Sequence, residues 1–220
     1  MALVLYSHPL ASYCHKVLIA LYENETPFEA RLVDLGDPNS RAEFDRLAPL
    51  AKMPVLRDLE REQVVTETSV IIEYLQLHHP GAARLLPSDA ERALPIRALD
   101  RFYDLYVNEQ MGKIVADHIR PADERDGFGV AAAKAMLHKA YGVIEAQMSE
   151  RSWAAGDTFT MADCAAAPAL FYAQRVASLA DYPHAAAYLR RLCERPSFAR
   201  VLREAKPYFK LFPVPSDLNA

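Results

Sequence analysis

Two hundred and twenty residues, 51% of them hydrophobic and 25% charged, supply enough apolar surface for one large core or two smaller ones. Aromatic content of 10% and a mean hydropathy of -0.09 exclude a disordered chain. The longest apolar run, residues 165–173, is about half the roughly 20 residues that cross a bilayer, so no membrane partner is expected. A formal charge of -4 with no basic patch argues against nucleic acid, and the start Met1-Ala2-Leu3, which has no basic leader ahead of His8-Pro9, makes the cytoplasm the expected location.

Leu3-Val4-Leu5-Tyr6, closed by Ser7-His8-Pro9, reads as a strand buried on both faces. From Ser12 onward Cys14, Val17, Leu18 and Leu21 recur at helical spacing, which predicts a helix ending at Asn24 before Pro27. Phe28, Ala30 and Leu32 alternate with Glu29 and Arg31 and predict a half-buried strand. Strand, helix and strand then make a right-handed parallel crossover. A second helix is expected over 40–47. Pro54 opens the apolar run Val55-Leu56, a position that proline tolerates in a strand. After the charged turn at 58–62, Val64-Val65 reads as a short strand and 66–77 as a helix with Ile71, Ile72 and Leu75 inward. The order is βαβ, helix, ββα: a mixed four-stranded sheet with helices on its faces, the thioredoxin-like arrangement, over residues 1–79.

Residues 80–87 are expected as a linker and 88–220 as an all-helical bundle domain, because no strand pattern follows Pro80. Its helices are predicted over 90–118, 128–149, 160–175, 183–194 and 197–205, with breaks such as Arg120-Pro121 and Gly156-Asp157. Pro168 is placed to kink the third of these, and Thr160-Met161-Ala162-Asp163 has the hydroxyl-x-x-acid form of a capping box. Cys14, Cys164 and Cys193 are an odd number at wide spacing, which predicts reduced thiols and no structural metal. Adjacent His78 and His79 point apart at a helix end and predict surface caps, not metal ligands.

Ser12 lies where a helix begins. Unpaired N–H groups and a partial positive charge there stabilise an anion by about 0.3–1 kcal/mol, and a hydroxyl donating to an ionised group adds about 1.5–3 kcal/mol. Carrying a thiol from about 8.5 to about 6.5 takes roughly 2.7 kcal/mol, so the two effects together suffice. The bland alternative is an ordinary helix cap. Cys14 is in phase with Val17, Leu18 and Leu21, which predicts burial; turned outward, it would be a low-pKa thiol. Tyr103, Tyr106, Met111 and Val115 read as the inward stripe of a long helix.

Ser12-Tyr13-Cys14 at a helix start, Met53-Pro54-Val55 before a strand and Glu67-Thr68 before a helix stand in an order that resembles the glutathione S-transferase superfamily. The segment Gly156-Asp157-Thr158-Phe159 with the capping box extends the resemblance over nearly the whole chain. It implies a glutathione transferase that activates the glutathione thiolate for attack on a small hydrophobic electrophile, works as a homodimer, and needs no cofactor beyond glutathione as co-substrate. It also implies that Lys52 reaches the glycyl carboxylate, that Met53 before a cis Pro54 pairs with the cysteinyl backbone, and that Glu67 and Thr68 hold the γ-glutamyl end. Catalysis falls to Ser12 or Cys14. Tyr13 and Tyr106 fall beside the acceptor pocket, as does the tail Tyr208-Phe209-Lys210-Leu211-Phe212. The family's usual catalytic position coincides with Ala11, so either Ser12 substitutes or backbone N–H groups hold the thiol alone. Ala11-Ser12-Tyr13-Cys14 is also similar to the Cys-Pro-Tyr-Cys segment of glutaredoxins with its leading cysteine replaced. The alternatives are therefore a glutathione-dependent reductase or lyase using Cys14, and a non-catalytic module that binds glutathione or apolar ligands.

Overall fold

The structure, a computed structural model, describes residues 2–214. The outermost ends of the two expected domains, residue 1 and residues 215–220, lie outside the described residues. Four short strands, β1 (Leu3–Ser7), β2 (Glu29–Leu32), β3 (Val55–Asp58) and β4 (Gln63–Val65), form one mixed sheet in the order β2-β1-β3-β4. β1 runs parallel to β2, with Val4 opposite Glu29, and antiparallel to β3, with Leu5 opposite Leu56; β3 and β4 close as a hairpin.

Every residue of β1 is buried, as a central strand requires. Its two-residue period sends Leu3 and Leu5 to the face covered by α1 (Ser12–Glu23) and α3 (Thr68–His78). Val4 and Tyr6 go to the other face, with Phe44 of α2 (Pro38–Leu47) and Val55. β2 departs from the expected half-buried alternation: all four of its residues are exposed, Leu32 by 55%. The reason is its place at the sheet edge, with one strand neighbour.

The second half is helical: α4 (Ala90–Phe102), α5 (Glu109–Ile119), α6 (Gly127–Met148), α7 (Met161–Ala173), α8 (Pro183–Glu194) and α9 (Pro196–Ala205). The single helix expected at 90–118 is two α-helices joined by a π-helical segment, Tyr103–Asn108. The wider π turn changes the phase of the side chains. Tyr103, Asp104, Val107 and Asn108 are therefore buried, whereas Tyr106 is 46% exposed and packs against Phe102 at 5.7 Å between ring centroids.

Both halves share one core around α1 and α7. α1 is buried from Cys14 through Leu21, and α7 at every residue, with Pro168 inside the helix without ending it. A helix apolar all round is a core helix. Asp163 closes its amino end: the carboxylate accepts the Thr160 N–H at 2.8 Å and hydroxyl at 3.1 Å, the Ala154 N–H at 2.8 Å and the Tyr188 hydroxyl at 2.5 Å. The far end of α1 is clamped to the start of α9, where Arg195 donates to both Glu23 oxygens at 2.7 and 2.6 Å. The 80–87 connection is anchored too, since Leu85 and Leu86 are buried and the Gln76 amide grips the Leu86 carbonyl (2.7 Å) and N–H (2.9 Å).

Candidate active-site cleft

The opening turn of α1 is held by Ala11, whose extended backbone ends the preceding loop and whose carbonyl accepts the N–H groups of Cys14 (2.8 Å) and His15 (3.1 Å). The N–H groups of Ser12 and Tyr13 begin the helix ahead of any intrahelical acceptor. Both residues line a cleft of about 850 Å³ between the sheet half and the helical half. Among the described residues no side chain caps this helix, so the anion-stabilising end is left uncovered.

Two further turns border the cleft on the sheet side. The Met53-Pro54 peptide is cis, with Pro54 buried and Lys52 exposed beside it. Glu67 precedes α3 at φ 66°, a left-handed conformation that costs a non-glycine residue on the order of 1–3 kcal/mol and gathers at ligand sites. Its carbonyl accepts the Ile71 N–H at 2.8 Å, and Thr68 behind it is buried. Ser12, Tyr13, Lys52, Met53, Pro54, Glu67 and Thr68 thus all border one cleft.

The burial predicted by the helical phase of Cys14 is found and counts against the catalytic alternative for its thiol, and the expected place of Tyr106 beside the acceptor pocket is corrected. Cys14 is fully buried and faces the core; burial pushes its thiol up to about 12, the reverse of an activated nucleophile. The cause is its helical phase, which sets it on the same inward face as Val17, Leu18 and Leu21. Tyr106 is not on the cleft wall, because the π-helical turn carries it outward. The tail aromatics also lie elsewhere: Phe209 packs on Phe171 at 5.9 Å and Phe212 stacks on Tyr172 at 5.4 Å. His79, expected as a surface cap, binds the buried Asp58 carboxylate at 2.7 Å, and no cluster of three metal-ligating side chains occurs among the described residues.

The wall facing α1 comes from the end of α4, the π-helical segment and α5. Arg101, Asp104, Asn108, Glu109 and Lys113 contribute to it, with the apolar Met111 and the smaller Gly112 and Ala116 among them. Tyr13 reaches across: its hydroxyl lies 3.5 Å from the Asp104 carbonyl and is hydrogen-bonded by the Asn108 side chain, and burial pushes the phenol up. Behind the wall Lys16 is buried, with Nζ 2.7 Å from Asp100, 2.8 Å from Asp104 and 3.0 Å from Ser69. Burial pushes the Asp104 carboxyl up, and Lys16 opposes that push. Lys16, Arg101, Asp104 and Asn108 carry no motif. The one signal for them is a lysine in the middle of the apolar run from Cys14 to Leu21. A smaller hollow of about 570 Å³ lies over the other sheet face, between Tyr6, Arg46 and Arg57, and has no helix amino terminus at its border.

The family model for the glutathione S-transferase N-terminal domain matches residues 11–77, and that for the glutathione S-transferase C-terminal domain matches 106–196. Glutathione S-transferase GstB of Escherichia coli is 27% identical over 190 residues, 85% of this chain and 91% of that protein. FtsZ-localized protein A of Caulobacter vibrioides is 28% identical over 211 residues, 92% of this chain and 92% of that protein. A solved glutathione S-transferase from Methylobacterium radiotolerans, in complex with glutathione sulfonate, is 30% identical with a TM-score of 0.79, covering 90% of this chain and 93% of that one. The chain belongs to the glutathione S-transferase superfamily, with a mixed four-stranded sheet and helices followed by a helical domain.

Proposed function

We propose that the protein is a glutathione transferase in which the start of α1 ionises the glutathione thiol and Ser12 donates to the thiolate. The observation that carries this reading is the placement of Ser12 and Tyr13, at an uncapped helix start, across one cleft from Met53-Pro54 and Glu67-Thr68. The relative solved with glutathione sulfonate supports it. Lys52 would take the glycyl carboxylate, the Met53 backbone the cysteinyl amide, and Glu67 with Thr68 the γ-glutamyl end. The bound thiol loses its proton to solvent, the thiolate sulfur forms a bond to an electrophilic carbon, and the leaving group departs with its electron pair. Catalysis comes from ionising the sulfur and holding it against the acceptor. A homodimer in the cytoplasm completes the proposal by family resemblance, and sedimentation tests the dimer.

Ultraviolet difference titration of bound glutathione is the deciding experiment. The thiolate band is expected to appear well below the ordinary thiol range of roughly 8.5 and to move upward in Ser12→Ala. A bound thiol that titrates at its free value ends the proposal. An unchanged, depressed value in Ser12→Ala assigns the role to the N–H groups of Ser12 and Tyr13. One observation favours a second reading, a non-catalytic glutathione-binding module: Ala11 stands where the family resemblance puts the catalytic hydroxyl or thiol. Tight glutathione binding without turnover across a broad electrophile panel is its signature. Burial of Cys14 removes the support for a redox cycle through that thiol.

A further inference from the structure

We infer that the electrophile accepted by this cleft carries an anionic group, a carboxylate, and that Arg101 determines that specificity. The inference rests on the transferase reading above and supplies the acceptor's chemistry.

The wall that faces the start of α1 is mixed: Met111, Gly112 and Ala116 are its apolar part, and Arg101, Glu109 and Lys113 its exposed charges. Asp104 and Asn108 are buried, whereas the Arg101 side chain is 52% exposed; an apolar acceptor laid against its guanidinium would strip water from it without returning hydrogen bonds, which is unfavourable. The aromatic side chains that would suit an apolar acceptor are committed elsewhere: Tyr106 to Phe102 and Phe212 to Tyr172. Tyr13, the aromatic residue that lines the cleft, stands opposite this wall on α1, and its hydroxyl is turned to Asp104 and Asn108.

The sign of the complementary charge follows from a row of four ions. Asp100 Oδ1 lies 2.7 Å from Lys16 Nζ, Lys16 lies 2.8 Å from Asp104 Oδ2, and Arg101 Nη1 lies 3.0 Å from that same Asp104 oxygen. One carboxylate oxygen therefore serves two cations. The side chain of Lys16 is 1% exposed and has no water to exchange for its partners, whereas that of Arg101 is 52% exposed and borders the cleft. Arg101 is the member of the row free to change partner. When it turns to a ligand, Asp104 keeps Lys16, so no buried carboxylate is left uncompensated, the costly outcome of breaking such a pair. A guanidinium matches a carboxylate through two parallel N–H donors. Glu109 and Lys113, further along the wall, pair with each other at 3.4 Å with both side chains about half exposed, and they cancel.

The test compares two acceptors built on one ring, a chloronitrobenzoate and the matching chloronitrobenzamide, with chlorine para to the group that differs. In both, the thiolate forms the carbon–sulfur bond and chloride leaves with the electron pair. Each kcat/KM is divided by the rate constant with free glutathione, which removes intrinsic reactivity. The wild type is expected to favour the carboxylate by about tenfold, chiefly through KM, the factor one charge-assisted contact supplies. Arg101→Gln should bring the ratio near one, and Arg101→Glu should invert it. A folding defect would lower both acceptors together and leave the ratio alone. A wild-type ratio of one or less, or a ratio unchanged in Arg101→Gln, overturns the inference. An equal rise in the KM for glutathione with both acceptors also overturns it, by making Arg101 a glutathione anchor. The finished S-conjugates of the two rings, titrated by calorimetry, read the same preference without turnover. Preference for the carboxylate conjugate without catalysis upholds the inference while removing the transferase reading, and equal affinities remove the inference.

Discussion

Lys16 Nζ stands 2.8 Å from Asp104 Oδ2 and 2.7 Å from Asp100 Oδ1, with all three side chains withdrawn from solvent. One ammonium joins two carboxylates of the helical half to α1 of the sheet half, and the Ser69 hydroxyl of α3 donates to Asp100 at 2.5 Å. These contacts tie together four elements that border the cleft: α1, α3, the end of α4 and the π-helical segment. Removing one partner of a buried pair costs about 3–5 kcal/mol, because the remaining charges lose their compensation. Lys16→Met is therefore expected to lower the unfolding free energy by about that much. Combining it with Asp104→Asn should recover part of the loss, since one stranded charge goes. Urea denaturation at neutral pH checks both, and a loss below about 1 kcal/mol for Lys16→Met would show that the network is not stabilising.

Cys14 and Cys164 are expected to resist thiol reagents in the native protein. Burial pushes Cys14 up to about 12 and Cys164 well above the ordinary thiol range, and neither side chain is exposed. Cys193 is partly buried and pushed up to about 11, so it should react first, and slowly. Counting modified thiols by mass spectrometry before and after denaturation tests this. Rapid native labelling of Cys14 would reopen a role for its sulfur at the cleft.

His15 gives the fold an acid-side weakness. The ring is fully buried between Tyr172 and Phe198, with Nε2 at 2.6 Å from the Pro9 carbonyl, and burial lowers it to about 4 from an ordinary 6.5. The unfolded chain then binds a proton that the folded chain refuses. Stability from this group is full above about 6.5 and falls as the pH drops toward 4, by about 3 kcal/mol across the window. His15→Gln, which does not titrate, should flatten the dependence of Tm on pH between those limits. A wild-type Tm that is level through the window would show that the folded ring accepts the proton.

The order of elements, the two halves and the turns that border the cleft on the sheet side are legible in the sequence, because each is written in neighbouring residues. A period of two or of about 3.6, a proline before a strand, or a hydroxyl at a helix start needs no distant partner. Cys14 illustrates the strength of such signals: its phase with Val17 and Leu21 predicts the burial that the structure has. Where the signal depends on contact, the sequence is silent. The exposure of β2 follows from its edge position, which strand order alone decides. The outward turn of Tyr106 and the inward turn of Asp104 follow from a π-helical segment that breaks the helical period. The burial of Lys16 depends on Asp104, 88 residues further along the chain. Local propensity sets which segments become helix or strand; the pairing of buried charges and the chemistry facing the cleft belong to residues that meet only after the two halves have packed.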